Sequence, residues 1–285
     1  MNELTTVADG LGIPESPRWH EGRLWFCNWI DQQIVALDAD GTREVLPSPA
    51  GRLMGWSIDW QPDGRLLVTG DALRRRESDG SVVTLAEQAA NEIVVDGRGN
   101  IYLDGADFDF AGGEAPKPGW IKLVTPDGAV RVVAEDIQFP NGMVITPDDR
   151  TLIVAESFTG RLLAFDIEPD GGLSGRRVFA DGLGPDGICL DAEGAVWTST
   201  GKNSIVRVAE GGEVLQRVEL SADRAPFAIM LGERTLYIAT AAWHSADGIP
   251  ANIGRLLHGP RTGAILAVDV AVPGATRRGR SGPGR

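Results

Sequence analysis

Residues 176–184, RRVFADGLG, have a near copy at 4–12, LTTVADGLG. Each copy runs on through a proline to a carboxylate, Glu15 after IPE at the N-terminus and Asp186 after PD in the later copy. In the later copy a short strand-like stretch meets an Asp-Gly turn and then a new apolar run, GICLD. That order reads as the end of one strand and the crossover to the next unit. The N-terminal copy has the same form, yet no unit precedes it. Residues 3–8 are therefore expected to form the outermost strand of the last unit, closing a ring without a covalent link.

The ring follows from repetition. Short runs of Val, Ile, Leu and Trp alternate with DADG, QPDG, ESDG, TPDG, TPDD, EPDG and DAEG. Asp and Gly accept the backbone angles of tight hairpins and proline presets the entry angle, so the pattern reads as antiparallel β. Six units can be placed, at 14–46, 57–85, 91–133, 140–180, 185–220 and 226–270. Their second strands read RLWFCN, RLLVTG, NIYLDG, TLIVAE, AVWTST and TLYIAT. The units start about 34–49 residues apart, the period of four-stranded propeller blades. The sequence thus predicts an all-β, six-bladed β-propeller over 1–272, with the Gly/Arg-rich residues 273–285 as a disordered tail.

Composition narrows the partners. A net charge of −13 over 285 residues argues against nucleic acid, whose phosphates demand a basic surface. No apolar run approaches the roughly 18–20 residues of a membrane helix, so no membrane partner is expected. The opening MNELTTVADG has neither the basic nor the apolar region of a signal peptide, and a cytoplasmic protein is expected. Cys27 and Cys189 each sit in an apolar run and are expected to be buried free thiols. Gly182, Gly184 and Gly187 spell G-x-G-x-x-G, but a proline and a strand stand where a dinucleotide site requires a helix.

In a propeller the innermost strands all start at one rim of the central channel, so residues in that phase of each repeat converge. They are Glu15, Ser57, Asn91, Asn141, Asp186 and Phe227. Glu15, Asn91, Asn141 and Asp186 form a hard, all-oxygen donor set that suits Ca²⁺, with Mg²⁺, Mn²⁺ or Zn²⁺ as replacements. Zn²⁺ is the poorest match, because His and Cys are missing from this phase. Pro-Asp-Gly also occurs at 62–64, 126–128 and 169–171, where it falls on hairpin turns; only Asp186 falls on the channel entrance. Trp56 and Phe227, at or beside the remaining rim positions, read either as walls of an apolar substrate pocket or as core aromatics. His20, His244 and His258 all lie out of phase and no G-x-S-x-G occurs, which disfavours a serine–histidine mechanism.

The pattern IPESPRW, NEIVVDGRGNIY, FPNGMVITPDDRTLIVAES and PDGICLDAEGAVW resembles the SMP-30/gluconolactonase/LRE-like family, the regucalcin group. The resemblance implies a six-bladed propeller with a divalent metal, commonly Ca²⁺, at the channel mouth, and hydrolysis of a small-molecule lactone. It places Glu15, Asn141 and Asp186 on the family's metal ligands, and Asn91 on an Asn that contacts substrate or metal. Members acting on sugar lactones often carry an Arg two residues before that Asn and an Asp directly after it; here Ala89 and Glu92 stand there. The insertion at 104–119, with Asp104, Asp107, Asp109 and Glu114, would overhang the channel as a substrate loop. On this reading Asp186 is the general base, with Asp107 or Asp109 in reserve. A non-hydrolytic biosynthetic reaction and a Ca²⁺-dependent binding protein are the alternatives on the same scaffold.

Overall fold

Among the described residues, turns rich in Asp and Gly separate 24 strands, and these form six antiparallel sheets of four. The structure is a computed structural model that describes residues 3–108 and 114–275. In the turns the Asp carboxylate accepts the backbone N–H two residues on, as Asp40 does from Thr42, Asp63 from Arg65 and Asp79 from Ser81, at 2.9–3.1 Å. These hairpins are thereby fixed by their own side chains.

Blades 1 to 6 begin with the inner strands Pro14–His20, Ile58–Trp60, Ile93–Val95, Pro140–Ile145, Cys189–Leu190 and Arg224–Leu231. Blade 6 continues through Thr235–Ala242 and Gly263–Asp269, and its fourth strand is Thr5–Leu11 from the N-terminus. Thr5 lies opposite Ala267 and Leu11 opposite Gly263. The closing strand foreseen at 3–8 is present, and it runs slightly further along the chain.

The core is six cores, one between each pair of neighbouring blades. Successive side chains of a strand point to opposite faces, so adjacent residues serve different interfaces. Phe26 packs with Ala228, Ala239 and Ile265 of blade 6, whereas Cys27 packs with Ile58 and Trp60 of blade 2. Likewise Leu67 faces Ile93 and Val95 of blade 3, and Val68 turns back to blade 1. Both faces being buried explains why the second strands are continuous apolar runs rather than alternating ones. Cys27 and Cys189 are buried and unpaired.

Two features differ from the sequence reading. The long link in blade 6 contains an 11-residue helix, α1, Gly248–His258. Pro250 is tolerated because it lies in the first turn, and the buried Asn252 ties the helix down. Its amide accepts from the His244 N–H at 2.9 Å and donates to the Gly248 carbonyl at 2.8 Å. The segment expected to leave the fold at Pro273 also stays on it for three residues. Ala192 N–H bonds to the Pro273 carbonyl and Ala275 N–H to the Leu190 carbonyl, so this stretch pairs beside the short inner strand of blade 5. Residues 276–285 lie outside the described residues.

Candidate metal centre and active site

Three of the inner strands are irregular at the rim. The register shifts fall between Glu15 and Arg18, between Pro140 and Met143, and between Pro226 and Ala228. Bulges re-aim side chains, and here they fall at Glu15, Asn141 and Phe227. In blade 1 the bulge includes Ser16, whose φ is +50°. It resets the strand's parity, so that Glu15 and Arg18, three apart, reach the same polar cluster.

Close approach of the inner strands sets the glycines that follow Asn141 and Asp186. A Cβ on Gly142 would lie 2.6 Å from the Ile188 backbone nitrogen and 2.7 Å from the Asp186 backbone carbonyl oxygen. One on Gly187 would lie 2.4 Å from Cβ of Ala228. Gly187 N–H bonds to the Phe227 carbonyl at 2.8 Å, holding blade 5 to blade 6 beside Asp186. Glycine is present at these two positions because the channel is narrow.

Glu15 and Asp186, 171 positions apart (186 − 15), act on one another electrostatically. Glu15 is buried, and its carboxyl is held well above the usual range, first by burial and then by repulsion from Asp186 and Glu92. The Ser16 N–H, 3.0 Å from Oε2, and the Arg18 charge offset part of this. Asp186 is half-buried, opening to the channel. Burial and the Glu92 charge raise it to about 7, against a donated hydrogen bond from the Asn141 amide. Two carboxylates that resist ionisation together are relieved by a cation between them.

Beneath them lies a network the sequence reading did not assign as such: it set Ser57 on the rim and Asp104 in the overhanging insertion, whereas Asp104 lies buried on the strand Ile101–Ala106. Arg18 donates to Glu92 Oε2 at 2.8 Å, to Ser57 Oγ at 3.2 Å and to the Ile93 carbonyl at 3.0 Å. Ser57 Oγ also donates to Glu92 at 3.0 Å and is hydrogen-bonded to Ser16 Oγ. Ser57 is therefore a spacer in the ring of rim positions, bonded to its neighbours. Asp104 is fully buried, accepting the Glu92 N–H at 2.6 Å through one oxygen while the other has no partner. Burial, with repulsion from Glu92 and Asp186, pushes it well above the usual carboxylate range. The signal for this layer was present in the letters, as charged residues directly after Asn91 and three after Glu15.

Asn91 stands at the mouth, half-buried, its N–H bonded to the Asp104 carbonyl at 3.1 Å. A Cβ on Gly55 would sit 3.0 Å from Arg52 Nη2 and 3.4 Å from Asn91 Oδ1. With its φ of +70°, Gly55 lets the crossover loop bring a guanidinium near that amide. Phe227 is half-buried against Trp243, ring centres 5.9 Å apart. Trp56 is a correction: it is fully buried among Cys27, Ile34, Ile58 and Trp60, so it is a core aromatic and offers no surface to a ligand. Asp107 is exposed, and its carbonyl accepts from Lys117 at 3.2 Å; it is not brought into the carboxylate cluster. Asp109 lies outside the described residues.

The donors fit a hard divalent cation, since all are oxygens and both acids are held above their usual range, Glu15 by burial and the Asp186 charge, Asp186 by burial and the Glu92 charge. Among the described residues no three Asp, Glu, His or Cys side chains converge to chelate an ion by themselves. Amide oxygens from Asn141 and Asn91 would have to complete the set.

Residues 13–242 match the SMP-30/Gluconolactonase/LRE-like region. The chain belongs to this family. Among SMP-30/gluconolactonase/LRE-like relatives, the lactonase drp35 of Staphylococcus aureus is 24% identical over 193 residues, covering 61% of this chain and 58% of its own. A 6-deoxy-6-sulfogluconolactonase of Pseudomonas putida is 28% identical over 165 residues, covering 55% of this chain and 54% of its own. The chain thus spans little more than half the length of these two relatives. Regucalcin of Agrobacterium tumefaciens, a solved structure described as a calcium-binding protein, superposes with a TM-score of 0.76. That superposition covers 97% of this chain and 96% of the other at 20% identity, and it supports the fold alone.

Proposed function

We propose that this protein opens a small-molecule lactone, using a divalent cation, Ca²⁺ by preference, held at the channel mouth by Glu15, Asn141 and Asp186. The observation that carries the reading is the pairing of two mutually repelling acids, with Asp186 raised to about 7 and partly open to the channel. The lactonases among its relatives support the reaction class.

When bound, the cation supplies the positive charge that polarises the ring carbonyl and stabilises its developing oxyanion. The chain's own residues do the rest. Asn91 lines the entry and orients the lactone. Asn141 donates to Asp186 and fixes its orientation. Asp186 takes a proton from the attacking water as the water oxygen bonds to the carbonyl carbon. The ring C–O bond then breaks, and its oxygen receives the proton back, leaving a hydroxy acid. With a cation bound, the Asp186 carboxyl is drawn down from its ion-free value and stays ionised, ready to accept that proton. The Arg18–Glu92 pair holds the floor of the site in place.

A lactone panel followed by acid release, with EDTA and then with Ca²⁺ restored, tests the proposal. Turnover should fall on chelation and return with the ion. Undiminished turnover after chelation would remove the cation from the reaction, and failure on every lactone would remove the reaction itself.

A further inference from the structure

Each blade holds a polar side chain near the rim end of its second strand: Asn28, Thr69, Asp104, Glu156, Ser199 and Thr240 in blades 1 to 6. None of them is more than 3% exposed. In every blade that side chain bonds the backbone of the segment that carries the rim residue. Asn28 accepts the Gly12 N–H at 2.9 Å, Thr69 the Ser57 N–H at 2.8 Å, Asp104 the Glu92 N–H at 2.6 Å and Glu156 the Gln138 N–H at 2.9 Å. In the last two blades hydroxyls donate instead, Ser199 to the Gly184 carbonyl and Thr240 to the Ala225 carbonyl at 2.7 Å.

The repetition has a physical cause. In blades 1, 4 and 6 the side chain stands opposite Pro14, Pro140 or Pro226, each directly before the rim residue and each followed by a bulge. Proline has no N–H to give to a sheet, and a bulge interrupts the ladder. Backbone pairing therefore holds these rim residues weakly, and a side chain from the adjacent strand takes over. Blade 4 has the strongest version. Glu156 also accepts from the Thr159 hydroxyl, from Arg161 at 2.8 Å and from Arg176 at 3.4 Å. Arg176 donates in turn to the Asp136 carbonyl at 2.9 Å. The crossover so held contains Asp136 and Phe139, whose φ of +56° and +62° are costly without glycine and persist only where the surroundings fix them. Asn141 follows Phe139 by two residues.

We propose that these six side chains form an inner ring of positioning residues, and that Asn28, Glu156 and Ser199 act through Glu15, Asn141 and Asp186 to set the affinity for the cation. This rests on the cation reading above. Blade 6 supplies the control. Thr240 makes the same kind of bond, yet the rim residue there is Phe227, whose side chain has no oxygen to give.

The test measures the Ca²⁺ dissociation constant by calorimetry without substrate, and Tm in EDTA, for wild type, Glu156→Ala, Glu156→Gln, Ser199→Ala and Thr240→Val. Loss of a group that orients a metal ligand weakens binding by about 10–100-fold. Glu156→Ala and Ser199→Ala should fall in that range. Glu156→Gln keeps an oxygen for the Gln138 N–H and should recover most of the loss. Thr240→Val should bind Ca²⁺ within about twofold of wild type, while its Tm in EDTA falls as far as that of Ser199→Ala. Should Glu156→Ala fail to fold, the contrast between Ser199→Ala and Thr240→Val decides alone. Unchanged affinity in Ser199→Ala, or equal weakening in Ser199→Ala and Thr240→Val, would reduce the ring to a structural role and leave the cation reading standing. Absence of Ca²⁺ binding by the wild type would overturn both.

Discussion

The tripeptide Pro-Asp-Gly occurs at 62–64 and again at 185–187, and the two copies behave in opposite ways. Asp63 caps its own hairpin, bonded to the Arg65 N–H at 3.1 Å and to its guanidinium, and these bonds hold its carboxyl below the usual range. Asp186 faces the channel near Glu15 and Glu92, and burial with the Glu92 charge raises it to about 7. The motif is the same; only its phase in the blade differs. A turn aspartate is stabilised by its local partners, whereas a channel aspartate is destabilised by residues from other blades.

The sharpest way to break this contrast is to remove each charge in turn. Asp186→Asn should lower lactone turnover by about 10²–10⁴-fold, the range for a lost general base, with the fold intact by circular dichroism. Asp63→Asn should leave the rate within about twofold, as for a surface turn remote from the site. Comparable losses in both would show that phase does not decide the role.

The glycines sharpen the comparison on stability. Gly142→Ala forces a methyl against backbone atoms of blade 5 at 2.6–2.7 Å, and urea unfolding should show a loss of about 3 kcal/mol. Gly64→Ala meets nothing within 4 Å and suffers only from its φ of +86°. Its loss should be about 1 kcal/mol. Equal losses would mean that the inner strands can separate to admit a side chain.

The smallest effect is a difference of sign with pH. In the ion-free protein Asp186 titrates near 7 rather than at 3.8. The folded state therefore keeps a proton that the unfolded state has released between those values, and this group's contribution to stability falls as pH rises through that window. Asp186→Asn removes the penalty. In EDTA the variant should gain a few degrees of Tm over wild type at pH 8 and little at pH 4. For Asp63, whose carboxyl is held low, stability is present above the unfolded value and lost on acidification. Asp63→Asn should lower Tm slightly at pH 8, and a gain there would contradict its assignment as a satisfied cap.

Much of the architecture was legible because it is local. Asp-Gly turns, apolar runs of strand length and a repeated crossover are each encoded within a few residues, and their period implies the ring. The duplicated ADGLG even marked the closing strand, found at Thr5–Leu11. That Glu15, Asn141 and Asp186 approach one another was legible by phase, since equivalent positions of a repeat meet at the axis. Trp56 was misplaced because a strand end beside the rim does not say which interface its side chain enters. The helix α1 was missed because IPANIG carries a proline and a glycine, and its anchor, Asn252, is satisfied by the loop carbonyl of His244 rather than by a helical pattern.

The sequence by itself determined the repeat, the ring and the oxygen character of its mouth, because these depend on backbone preference and residue type. Only the tertiary structure decided which charges meet. The bulge at Ser16 turned Arg18 toward Glu92, and the narrow channel brought Asp186 near Glu15. Electrostatic repulsion and burial act over a few ångströms of space between residues remote in the chain, and no local pattern of letters encodes that distance.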